Sequence, residues 1–368
     1  MNKYIPSKAD IVQRVLKTSE NPHGVKPAYY APVTKPALLI LGGSGTKLEK
    51  NANNYAARLE TLLKENNIND VNIYSVFYNF NSHSPFLDRI NLFRRAGRKI
   101  TLADHENQAM KVMMENEPKP EFVTKLFNIF IRPRIADSNN ERLDCHIATR
   151  NINQLKIFIH CYGSSVIRFI EEMMISEMNK IGYKQHEIQS VMKNLLVIAH
   201  TPSAPIGKSA FTYLSFASAM DQIVNHHNLF HKYVKQLVKF IKPCFFPEPY
   251  GNFFLVARVK KDKPVTDKEK NNQYDDEHET EGLVNRERHL LTPDGNILFT
   301  AEANAIVNGL NAAISGEALP KIADLVSGNG VDFEEMKHNG EMFIKQMLPD
   351  LRAAMKIVRQ RRREAAQK

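Results

Sequence analysis

Short apolar runs, each a few residues long and set between helical patterns, constrain this chain more than any other feature. PALLIL (Pro36 to Leu41) stops at a glycine pair, and in the segment Asn53 to Glu65 the residues Tyr55, Leu59, Leu62 and Leu63 fall at helical spacing. VNIYSVFY (Val71 to Tyr78), rich in β-branched and aromatic residues, follows the turn-forming Asn66-Asn67-Ile68-Asn69-Asp70. That is strand, glycine loop, helix, strand. Further runs are LKIFIH (Leu155 to His160), NLLVIAH (Asn194 to His200), FTYLSFA (Phe211 to Ala217) and NFFLVARV (Asn252 to Val259). Short buried strands alternating with helices predict an α/β chain with a mainly parallel, doubly wound sheet covered on both faces. The expected strands are 37–41, 71–77, 155–160, 194–199, 211–217 and 252–259.

The length of 368 residues, with 43% hydrophobic and 24% charged residues, excludes fibrous and disordered classes and favours one elaborated domain. The alternation lapses between Phe80 and Asn151, where clusters such as Phe86-Leu87, Leu92-Phe93 and Leu126 to Ile131 read as a helical lid. Residues 260–288 are charge-dense and read as a long loop; helical patterns follow at Ala301 to Ile314 and Leu351 to Arg363. The expected organisation is an extension over 1–35, a sheet domain over 36–315 with its insertion at about 80–150, and a C-terminal helical extension over 316–368. Three cysteines cannot build a disulfide framework. The N-terminus lacks the apolar core of a signal peptide, and no window reaches the roughly 18 uncharged apolar residues of a membrane span. A cytoplasmic protein, or one exported without a cleaved signal peptide, is expected.

The chemistry concentrates in KIFIHCYGSSVIRFIEEMM (Lys156 to Met174), where an apolar strand ends, a tight turn holding Gly163 intervenes and a helix starts at once. A side chain on such a turn stands above the sheet edge, at a helix N-terminus whose partial positive charge stabilises an anion. A thiol or hydroxyl there is activated.

His160-Cys161-Tyr162-Gly163-Ser164-Ser165-Val166 resembles the nucleophile elbow of the α/β-hydrolase superfamily: a histidine, the nucleophile, a bulky residue, two small residues, then helix. Ile159 stands where that family usually has glycine. Cysteine at the nucleophile position, Cys161, is similar to the dienelactone-hydrolase branch, and a thiolate at a helix start is chemically suited to the role. The resemblance covers roughly residues 36–315 and implies a hydrolase of an ester, thioester or related acyl group, with a small-molecule or lipid-like acyl substrate and no cofactor. It implies oxyanion-hole N–H groups at Gly43, in Gly42-Gly43-Ser44-Gly45, and at Tyr162. It further implies an acid at Asp221, just past the strand FTYLSFA, and a later histidine. His278 in DDEHETEG is preferred, with His289 in RERHLLTPDG the alternative.

Other readings stay open at this level. Cys161 also fits an inert buried thiol, Ser165 a nucleophile in a shifted register, Asp221 a helix cap, and the glycine loop a plain turn. GGSGTK lacks the phosphate-loop spacing. His226, His227 and His231 include a helical i, i+4 pair, yet no carboxylate stands at a metal-binding spacing, so no metal is expected. His160 supports the elbow rather than acting as base, since it points to the other side of the strand.

The net charge of +10 is uneven, with Arg352, Lys356, Arg359, Arg361, Arg362, Arg363 and Lys368 crowding the C-terminus. Residues 351–363 form an amphipathic pattern suited to docking on the body, or to an anionic membrane surface or acidic protein. No stacking aromatics are interleaved with the arginines, which disfavours nucleic acid. The alternative function is a catalytically silent interaction protein that keeps the fold and binds a partner through lid and tail.

Overall fold

A computed structural model describes residues 9–15, 24–42, 49–78, 120–160, 163–202, 209–218, 243–247, 252–256 and 299–345. The chain is α/β, with a mostly parallel mixed sheet. Its strands are β1 (Ala9–Arg14), β2 (Val25–Pro27), β3 (Ala37–Leu41), β4 (Asn72–Tyr78), β5 (Leu155–His160), β6 (Leu196–His200), β7 (Thr212–Ser218), β8 (Cys244–Phe246) and β9 (Phe253–Val256). They lie in the order β2-β1-β4-β3-β5-β6-β7-β9-β8. From β4 to β9 every neighbouring pair is parallel, while β1 pairs antiparallel with β4 and with β2, and β8 pairs antiparallel with β9.

β3, β5 and β6 are buried at every residue, which is why each reads as a continuous apolar run instead of an alternating one. Successive side chains point to opposite faces. On one face Leu39, Leu41, Ile157, Ile159 and Val197 pack with α4 (Cys145–Asn153), α5 (Gly163–Lys180) and α6 (Gln185–Lys193). On the other, Leu38, Ile40, Phe158, Leu196 and Ile198 pack with α1 (Glu49–Glu65), α7 (Thr300–Ser315) and α8 (Ile322–Val326). No described helix is long and apolar enough to cross a membrane.

All six expected strands have counterparts in one sheet, the last as Phe253–Val256, with 257–259 outside the described residues; β1, β2 and β8 were not anticipated. The first two put part of the expected N-terminal extension into the sheet. The apolar cluster Leu126 to Ile131, expected in a lid, is core instead: α2 (Pro120–Leu126), a π-helical turn (Phe127–Ile131) and α3 (Arg132–Ile135) bury Leu126, Phe127, Phe130 and Ile131 against the sheet. The chemical reason is that these aliphatic and aromatic side chains find partners on α5, such as Ile170 and Met174. The rest of the expected insertion, residues 79–119, lies outside the described residues, as do 260–288, the histidines His226, His227 and His231, and the tail 351–363.

Candidate active site at the carboxyl ends of the strands

β5 ends at His160 and α5 begins at Gly163, so Cys161 and Tyr162 make the whole connection between a central parallel strand and a helix N-terminus. Both residues lie outside the described set, and their flanks define the turn. Gly163 packs closely on β3: a Cβ there would lie 2.5 Å from the Leu41 carbonyl oxygen at the end of β3, 3.1 Å from Leu41 Cβ and 3.2 Å from Ile159 Cβ. Backbone cannot yield as a flexible side chain can, so only glycine fits. Ile159 is fully buried in the core at the end of β5, and its own Cβ is part of the wall against which Gly163 rests. Ser165 is the third residue of α5, on the helix rather than the turn.

The remaining sequence-derived candidates Gly43, Asp221, His278 and His289 also lie outside the described residues. Their places along the chain are nonetheless set by described ends. Gly43 comes two residues after the last residue of β3 and Asp221 three after the last of β7, while His278 and His289 fall between β9 and α7. The carboxyl ends of parallel strands are the edge where open α/β sheets place their sites.

At that same edge the structure brings together a pair the sequence reading did not single out. His200 ends β6, directly in register with His160 at the end of β5. Its Nδ1 lies 2.8 Å from Glu302 Oε2 and 3.1 Å from Oε1. His200 is 2% and Glu302 0% exposed. Glu302 sits in the first turn of α7, where it also accepts the Phe299 backbone N–H at 3.2 Å. The His200 ring lies 5.6 Å from that of His160, and 6.3 and 5.4 Å from those of Phe158 and Phe299. The available signals were two neighbouring strands both ending in histidine, and a lone acid in the apolar helix TAEANAIV. Among the described residues no group of three or more His, Cys, Asp or Glu side chains is placed to hold a metal ion.

Lys156, fully buried near the start of β5, gives its ammonium hydrogens to Asn153 O (2.6 Å) and Oδ1 (2.7 Å), and burial pulls its amine down to about 7. Cys244 in β8 is buried, which pushes its thiol up to about 11 and makes it a poor nucleophile. A polar cleft of about 590 Å³ adjoins Arg132, Arg142, Glu177 and Lys180 at the C-terminal end of α5. Since α5 runs back between parallel strands, the cleft is at the far edge of the sheet from the β5–α5 connection, and Arg132 Nη2 pairs there with Glu177 at 3.0 Å.

No family model matches the chain, and no curated protein matches it either.

Proposed function

We propose that the protein is a hydrolase of an ester, thioester or related acyl group, built on an α/β-hydrolase-type fold with Cys161 as nucleophile. The observation that carries this reading is the elbow: a central parallel strand passes in two residues into the N-terminus of α5, with Gly163 held against the end of β3. The order β4-β3-β5-β6-β7, with the elbow after β5 and a long helix closing the unit after β9, supports the same fold type.

In this mechanism the Cys161 sulfur attacks the acyl carbonyl while His278 manages the proton. Backbone N–H groups of Gly43 and Tyr162 receive the oxyanion. Collapse breaks the bond to the leaving group, which takes the proton from the imidazolium, and leaves the acyl group on sulfur. Water, deprotonated by the same histidine, then releases the acid and restores the thiol. Asp221 holds the imidazole and stabilises its charged form.

Turnover of a panel of activated esters and thioesters tests this. Cys161→Ala is expected to lower kcat by about a thousandfold or more. Turnover that survives Cys161→Ala but not Ser165→Ala moves the nucleophile. A wild-type chain inert to the whole panel favours the silent interaction protein.

A further inference from the structure

Arg134, in α3, is among the largest fully buried side chains of the fold, and the proposed triad makes no use of it. A guanidinium carries five N–H donors and no acceptor. Arg134 Nη1 donates to Phe130 O at 2.7 Å and Nη2 to Pro32 O at 3.1 Å, while Nε is buried and has no hydrogen-bond partner among the described residues. Both acceptors are neutral carbonyls. Burial pulls the guanidinium down from 12.5 to about 10, so it keeps its charge at neutral pH. A charge taken out of water needs an opposite charge or a complete set of hydrogen bonds. Arg134 has neither: the described side chains that act on it electrostatically are the phenols of Tyr74 and Tyr30, and no carboxylate is among them.

Tyr74 supplies a second orphaned group. It is 0% exposed in β4, and its ring meets that of Phe130 edge-on at 5.1 Å, so it flanks the same residue whose carbonyl holds Arg134. Its hydroxyl is buried and has no hydrogen-bond partner among the described residues. Burial pushes the phenol up to about 12, which keeps it protonated and able to donate. Tyr30 stands two residues before Pro32, is 64% exposed, and acts electrostatically on both Arg134 and Tyr74. It links the buried pair to the surface.

We propose that Arg134 and Tyr74 form a binding site for the carboxylate of a small organic acid, with Tyr30 at its mouth. One cation is matched by one negative charge, and a carboxylate has two oxygens, one to accept from the Arg134 Nε–H and one from the Tyr74 hydroxyl. A phosphate dianion would bring a second charge that no described cation beside Tyr74 answers. A halide has a single centre. The site does not depend on Cys161 being a nucleophile.

The experiment is thermal unfolding of the full chain in sodium formate, the smallest carboxylate, against sodium chloride at equal ionic strength. Formate is expected to raise the melting temperature saturably and beyond the effect of chloride, as a ligand of the folded state does. Tyr74→Phe keeps the ring against Phe130 and removes one donor, and is expected to raise the half-saturating formate concentration about tenfold. Arg134→Met is expected to abolish the response; should it fail to fold, Tyr74→Phe carries the test. Formate acting no differently from chloride on the wild type, or equally on the wild type and Tyr74→Phe, overturns the site.

Discussion

Single residues here act mainly through what cannot move around them. At Gly163 the obstruction is the Leu41 carbonyl, so Gly163→Ala is expected to cost about 1–3 kcal/mol, as overpacking of a close-packed site does. A lower urea midpoint with an unchanged slope would show it; an unaltered midpoint would mean that β3 and α5 can part freely. Lys156 makes the complementary case, a charge rather than a volume. Its amine falls from 10.5 in the free side chain to about 7 when buried. Between those two values the unfolded chain holds a proton that the folded chain does not, so this residue makes stability rise as pH climbs from about 7 towards 10.5, and contributes no slope below that window. Lys156→Met is expected to remove that rise. Urea midpoints compared across the window check it, and a constant difference between wild type and variant would refute it.

Elements are held to the sheet by close approaches as much as by area. The helical segment 333–345 lies against edge strand β8, where a Cβ on Gly340 would run into the Phe245 backbone. Phe343 meets Phe246 edge-on at 5.3 Å, Phe333 tilts against Phe245 at 4.9 Å, and Asn339 Nδ2 donates to Pro243 O at 3.0 Å. The contact covers an edge that is otherwise a ready template for another strand. Gly340→Val is therefore expected to loosen this segment and lower the melting temperature by several degrees, with hydrogen exchange quickening in β8 before β5. Uniform exchange across both strands would show that the edge does not open on its own.

At the scale of the whole molecule, ending the chain at residue 332 removes that cover and exposes Phe245 and Phe246. The shortened protein is expected to aggregate on mild heating where the full chain stays monodisperse, as light scattering would reveal. Catalysis has its own whole-molecule test: Cys161→Ala and His278→Ala together should cost little more than either alone, because members of one catalytic unit are strongly non-additive. Additive losses in kcat would separate the two residues into different roles.

The central strands were legible because each is buried on both faces and is therefore mostly apolar, LKIFIH and LVIAH carrying polar side chains only at Lys156, His160 and His200. The passage from β5 to α5 was legible for a local reason, a glycine shortly after the apolar run and a helical pattern at once. The strands β1, β2 and β8 were not: β1 mixes polar and apolar residues, and β2 and β8 are only three residues long, too short for a periodic pattern. Nor was the burial of Leu126, Phe127, Phe130 and Ile131, whose apolar side chains read equally as lid or core until α5 packed on them. The sequence by itself determined the mainly parallel sheet and the place where β5 passes into α5. Only the tertiary structure put Glu302 onto His200, 102 residues away, because a contact between a strand end and a helix start leaves no spacing to read.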